Sequence, residues 1–209
     1  MDKLDLKKEY KHLFNPSAKQ VALVSVPRFN FIMIDGTVPA HIKVDDAPDY
    51  QNAVEALFSL SYTIKFICKK RQADPSDYAV MPLEGLWWSK SSNKAFTPDR
   101  KEAWYFTAMI MQPAPVTKAT FAQGVEAVRA KKDLAMLDAA RFEAFAEGKA
   151  VQLMHLGPYS EEPASIARMV AFSDEHNLKP NGKHHEIYLG DPRRTAPAKL
   201  KTVLRHPVK

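Results

Sequence analysis

Met33-Ile34-Asp35-Gly36 and Met154-His155-Leu156-Gly157 decide the reading of this sequence, because each closes a strand-like apolar segment and each precedes a helical pattern. A second pair of stretches keeps the same order. Ala108-Met109-Ile110-Met111-Gln112-Pro113 aligns with Thr202-Val203-Leu204-Arg205-His206-Pro207. Outward from the first stretch, Val21–Val26 and Phe29–Asp35 flank Pro27-Arg28, the pattern of two short strands about a tight break. After Pro39 and Pro48 a helix is expected from Asp49, whose carboxylate suits the cap. Ala53, Leu57, Leu60, Ile64 and Ile67 form its apolar stripe. Asp74-Pro75-Ser76 ends the helix. Extended runs then cover Tyr78–Trp88 and Trp104–Gln112, joined by the polar loop Ser89–Lys101.

The second stretch is surrounded in the same way. Arg141–Phe145 and Val151–Leu156 flank Glu147-Gly148, a turn signal. Ser160, Glu161 and Glu162 open a helix, with the acids at the positive end of its dipole. Ile166, Met169, Val170 and Ser173 mark the buried side, and strands follow at Lys183–Leu189 and Leu200–His206. Each half thus reads hairpin, helix, strand, strand: about 20–113 and about 140–207, linked by a helix at about 117–139 carrying Phe121, Val125 and Val128. Neither half buries a sheet face alone, so a single domain over residues 1–209 is expected.

At 45% hydrophobic and 26% charged, the 209 residues supply material for a core. Cys68 is the sole cysteine, so no intrachain disulfide forms, which suits a reducing compartment. The charged start Met1-Asp2-Lys3-Leu4-Asp5 does not fit a signal peptide, and no apolar run approaches the ~20 residues of a bilayer helix. A soluble, cytoplasmic protein is expected. The net charge of +6 is spread over short clusters such as Lys69-Lys70-Arg71 and Arg193-Arg194. Scattered charge of this kind reads as solvated surface rather than a nucleic-acid stripe, so no direct nucleic-acid binding and no membrane association are expected.

Pro82-Leu83-Glu84-Gly85-Leu86-Trp87-Trp88, Met109-Ile110-Met111-Gln112-Pro113, Met154-His155-Leu156-Gly157-Pro158-Tyr159 and the run His184-His185-Glu186-Ile187-Tyr188-Leu189-Gly190-Asp191-Pro192-Arg193-Arg194 resemble the GyrI-like small-molecule-binding family. The likeness runs from about Val21 to the C-terminus and is nearest to stand-alone bacterial members of this length. It implies an α+β fold of duplicated strand-helix-strand-strand modules. The curved antiparallel sheet would carry helices on one face and a ligand cleft on the other. Relatives include effector domains of multidrug-responsive regulators, a gyrase-inhibiting protein, and hydrolases that open cyclopropane rings of DNA-alkylating compounds. The first ~20 residues are too short for a regulator's DNA-binding domain.

Strand alternation gives Glu186 and Tyr188 one face, with Ile187 and Leu189 on the other. With the apolar pair on the helices, the polar pair would face the cleft. Glu84, Leu86 and Trp88 likewise share a face, so a pseudo-twofold axis would bring Glu84 and Glu186 together. A carboxylate among aromatic rings is partly desolvated and suits general-base work or cation pairing; the bland alternative is a surface strand residue paired with a lysine. Glu186 and Tyr188 are therefore candidate catalytic residues. Glu84, Trp88, Tyr105, Tyr159 and His155 are candidate ligand-binding residues. Trp88 and Tyr105 could instead be core, Glu84 could brace the chain at Gly85, and Tyr159 could cap the following helix. His184 and His185 point to opposite faces, so no metal site is expected from them. No phosphate loop or nucleophile elbow is present. The resemblance implies a hydrophobic aromatic ligand and hydrolysis of a strained ring without metal or cofactor. Its rival is sequestration without turnover, and a third reading is a gyrase-inhibitor-like interaction.

Overall fold

Two long strands carry the architecture of the computed structural model, which describes residues 3–74, 76–90 and 102–209. β1 (Ala22–Val38) and β4 (Arg141–Leu156) pair antiparallel in one register, from Ala22↔Gln152 to Met33↔Arg141. Both expected hairpins are corrected by this pairing. Pro27 and Glu147-Gly148 do not reverse the chain, because they sit across from each other between Val26↔Gly148 and Arg28↔Ala146. Gly148 takes a left-handed φ of 76°, so irregularity in one strand is met by irregularity in its partner.

Four more strands complete the sheet: β2 (Leu83–Ser89), β3 (Trp104–Gln112), β5 (His184–Tyr188) and β6 (Lys201–Pro207). The order β1-β3-β2-β5-β6-β4 closes through the β1–β4 pair into an antiparallel barrel, which leaves no open sheet edge. Short helices α1 (Leu6–Glu9) and α2 (Lys11–Phe14) precede the barrel. α3 (Pro48–Lys69) lies between β1 and β2, α4 (Lys118–Arg129) links the halves, and α5 (Glu162–Glu175) lies between β4 and β5. Each half is therefore strand, helix, strand, strand. Part of the expected loop Ser89–Lys101 lies outside the described residues.

The helices pack on the outer surface. Ala53, Leu57, Leu60 and Ile64 of α3 are fully buried, and Cys68 rather than Ile67 extends the stripe. They cover alternate residues of β1 and β3, among them Ile32, Ile34, Ala108 and Ile110. Burying each such aliphatic side chain contributes roughly 1.5–3 kcal/mol. Ala47 caps α3. Asp49 instead accepts from the Thr37 amide and hydroxyl at 3.2 and 3.1 Å, tying the helix start to the end of β1. α4 crosses α3 closely at Gly124, where a Cβ would stand 2.5 Å from Ile64. α5 covers the other half, with Ile166 and Met169 against Val151, Leu153 and Leu204. The outer faces of β2, β5 and β6 continue the sheet between the strands that α3 and α5 cover.

The barrel interior holds Phe31, Met33, Met109, Ile187 and Val203, and within them one charged network. His185 Nε2 lies 3.0 Å from Glu84 Oε2, and His185 Nδ1 lies 3.0 Å from Glu147 Oε1. Arg205 donates to Glu147 at 2.9 Å and to the Leu13 carbonyl at 3.0 Å. Burial alone would push His185 down, yet Glu147 and Glu84 raise it to about 9. Burial would push Glu147 up, yet His185 and Arg205 hold it at about 2. Beside this network lies a void of about 10 Å³, lined by Glu84, Glu147, His185 and Arg205, which is room for about one water.

The signs give a pH dependence. His185 is raised, so its contribution is complete below its ordinary 6.5 and is lost as pH rises through about 9. The depressed Glu147 contributes above its ordinary 4.5 and loses that contribution as pH falls through about 2. Denaturant midpoints are therefore expected to fall between pH 6.5 and 9, with a flatter fall in His185→Gln. Equal slopes in the two proteins would contradict a charged His185.

Candidate functional site

The outer face of β5 carries His184, Glu186 and Tyr188, while His185 points into the barrel. Tyr188 Oη donates to Glu186 Oε2 at 2.7 Å, and Trp87 Nε1 donates to Tyr188 Oη at 2.9 Å. His184 Nε2 lies 2.9 Å from the other Glu186 oxygen. Both oxygens of Glu186 are thus fixed, and its side chain keeps 11% exposure. The strand register explains the fit, since Gly85 stands directly opposite Glu186. A Cβ on Gly85 would come within 2.7 Å of Trp87 Nε1 and 3.1 Å of Tyr188 Oη. Gly85→Ala is accordingly expected to displace the Trp87–Tyr188 bond and lower stability by about 1–3 kcal/mol. Thermal unfolding checks this, and an unchanged midpoint would mean that the contact is not tight.

The walls are aromatic and acidic. Tyr50, on the first turn of α3, packs on Trp87 with ring centroids 5.5 Å apart. Tyr159, in the 3-10 turn before α5, meets Tyr188 edge to face at 5.8 Å. Tyr50, Tyr159 and Tyr188 are half-buried, so their rings separate the carboxylates from solvent. Burial and the Glu186 charge push the phenols of Tyr50 and Tyr188 up, and burial with nearby acids does the same for Tyr159. All three remain O–H donors at neutral pH. Glu162, the first residue of α5, is 5% exposed and faces the same space. Burial first, then the charge of Glu186, pushes its carboxyl well above the ordinary carboxylate range, while the Thr202 hydroxyl opposes them. Glu162 Oε1 is buried with no hydrogen-bond partner among the described residues. The raised carboxyl of Glu162 therefore keeps its proton at neutral pH.

Not all the expected residues meet here. Glu186, Tyr188 and Tyr159 come together. His155 lies on the same outer surface, 4% exposed, with its ring nitrogens 3.0 Å from Ser165 Oγ and 3.1 Å from the Pro158 carbonyl. It braces the turn that carries Tyr159, and it borders a groove of about 560 Å³ lined in part by Ser160, Ala164 and Arg168. Glu84 does not approach Glu186, because it stands on the inner face with His185. Trp88 and Tyr105 share that inner parity, stacked at 5.9 Å with the Lys183 ammonium 3.2 Å over the Trp88 ring. The expected facing of β5 is thereby corrected. Ile187 fills the barrel and Glu186 faces the helix layer, because closure makes the face away from the helices the core. Trp87, not Trp88, is the tryptophan bonded to Tyr188. Glu162 and Tyr50 were missed. The signal for Glu162 was its place just beyond Gly157-Pro158-Tyr159, where an acid at a helix start already has a dipole to explain it.

The helices packed outside a closed antiparallel sheet define an α+β domain. The chain belongs to the GyrI-like family: the model of the GyrI-like small molecule binding domain matches residues 19–209. A structure of an uncharacterized conserved protein from Listeria innocua is 39% identical, covering 99% of this chain and 100% of that one, with a TM-score of 0.88. Two structures described as hydrolases from the same organism are similar as well. One is 38% identical over 99% of this chain and 100% of that one, with a TM-score of 0.83. The other is 37% identical over the full length of both chains, with a TM-score of 0.85. No curated protein matches the chain. Among the described residues, no helix is long and apolar enough to cross a membrane.

Proposed function

We propose that this protein is a cofactor-independent hydrolase that opens the strained cyclopropane ring of flat aromatic genotoxins. One observation carries the reading: an acid held protonated, Glu162, feels the charge of a tyrosine-flanked carboxylate, Glu186, whose two oxygens are fixed by donors. The similarity to two Listeria innocua hydrolases at 37–38% identity supports it. The flat ligand enters as the rings of Tyr50, Tyr159 and Tyr188 part, and stacks on them; such pairs contribute about 0.5–1.5 kcal/mol beyond buried area. Glu186 takes a proton from water as its oxygen bonds to the ring carbon. The broken carbon–carbon bond sends its electron pair into the conjugated carbonyl, and Glu162 gives its proton to that oxygen. The proton on Glu186 then returns to Glu162, directly or through solvent, and the cycle closes with one water consumed.

Incubating the protein with a cyclopropane-bearing aromatic alkylator and following the ring-opened product by mass spectrometry tests this. Complete conversion by substoichiometric protein is the expected result. Tight binding of the alkylator without product would overturn the hydrolase reading and leave sequestration.

A further inference from the structure

The outward side of α3 carries an aromatic stripe that neither the core nor the proposed reaction uses. Phe58, Tyr62 and Phe66 follow one another at four-residue steps. Tyr62 and Phe66 are 50% and 51% exposed, and Phe58 is half-buried. The rings of Phe58 and Tyr62 stack with centroids 6.4 Å apart, and the Lys65 ammonium lies 5.9 Å from the Phe66 ring. Single exposed apolar side chains are ordinary on a protein surface, whereas a contiguous band of them marks a contact.

The charges on the same face indicate what covers it. At 3.6 residues per turn, Glu55, Phe58, Tyr62, Phe66 and Lys69 fall within about 80° of one another around the helix. Glu55 and Lys69 each stand seven residues from Tyr62, and Phe58 and Phe66 each stand four. Read from either end, the face shows the same order of aromatics with the charge inverted. A second helix laid antiparallel about Tyr62 therefore sets Glu55 beside the partner's Lys69 and Phe58 beside the partner's Phe66. A parallel one would set like charges together. Glu55 and Lys69 hold in-chain ion pairs with Lys132 at 3.7 Å and Asp77 at 2.8 Å, yet their side chains are 58% and 53% exposed. A carboxylate accepts several bonds and an ammonium donates three, so each has capacity for a second partner.

We propose that a second copy of this chain covers this face, with α3 packed antiparallel on α3 in a two-fold dimer. Such an interface uses one patch twice and must be complementary to itself, which the order Glu55, Phe58, Tyr62, Phe66, Lys69 supplies. From Glu55 to Lys69 the strip is about 21 Å long and about 10 Å wide. That is less than the ~800 Å² per partner of a standard interface, so the dimer is weak and concentration-dependent.

Sedimentation velocity on the full chain, from about 10 μM to about 1 mM, tests this. The wild type is expected to shift from monomer to dimer across that range, and Tyr62→Glu to stay monomeric. Glu55→Lys and Lys69→Glu, each alone, put like charges across the axis and are expected to weaken association about 10-fold or more. An equimolar mixture of the two is expected to associate again, because each copy supplies the charge that the other lacks. This recovery also separates a contact between copies from damage to the in-chain pairs, which the mixture leaves broken. A wild type that is monomeric at about 1 mM overturns the proposal. So does a dimer that Tyr62→Glu leaves intact, or a mixture that associates no better than its components. If a charge variant does not fold, Tyr62→Glu and Phe66→Glu decide the matter, a dimer in either one overturning the proposal.

Discussion

Glu186→Gln is expected to slow ring opening by about 10²–10⁴-fold, the usual span of general-base assistance, while the flat ligand still binds. The amide keeps the volume of the carboxylate and can still meet Tyr188 and His184, so the packing around position 186 persists; it cannot take a proton from water. Loss of turnover with retained binding is the mark of a chemical step, and fluorescence titration beside single-turnover product analysis separates the two. Unchanged turnover would remove Glu186 from the reaction. Lost binding as well would assign it to ligand recognition, the role that the sequestration reading gives it.

The second large effect lies on the other face of the same strands. Arg205→Met is expected to destabilise the fold by about 3–5 kcal/mol, the cost of leaving a buried charge without its partner. Arg205 and Glu147 have side chains only 3% and 1% exposed, and the same guanidinium satisfies Gln152 and the Leu13 carbonyl. Its loss leaves Glu147 with His185 as its charged partner among the described residues. Ring opening measured well below the unfolding temperature is expected to stay near wild type, because Arg205 projects into the barrel and Glu186 out of it. A variant as stable as wild type would show that the interior network is dispensable. A stable but inactive one would place the chemistry inside the barrel.

Much of the fold was legible because its signals are local and repeated. Ala53, Leu57, Leu60 and Ile64 form the buried stripe of α3, and β3 spans Trp104–Gln112, both as their spacing indicates. Pro27 and Glu147-Gly148 misled for a physical reason. Local turn signals say nothing of a partner strand, and the long β1–β4 pairing overrides both. The same non-local fact decides the site. Alternation correctly separates Glu186 and Tyr188 from Ile187. Which of the two faces is the core depends on barrel closure, a property of six strands that no single segment carries. Glu84 and Trp88 were joined to Glu186, yet Glu84 pairs with Ile187 and shares the inner face with it, while Gly85 is the residue opposite Glu186. Glu162 was hidden because helix-start acids are common, and only tertiary burial beside Glu186 distinguishes this one.

Carboxyl-carbon NMR of protein labelled at the glutamate side chains, titrated from acid to alkaline pH, tests whether Glu162 and Glu186 carry one proton between them at neutrality. One glutamate carboxyl is expected to remain protonated at neutral pH, its signal vanishing in Glu162→Gln and its titration moving toward the ordinary range in Glu186→Gln. If instead no glutamate titrates above the ordinary value of about 4.3, Glu162 and Glu186 are two plain carboxylates and neither is an acid. The proposed pairing of acid and base is then contradicted.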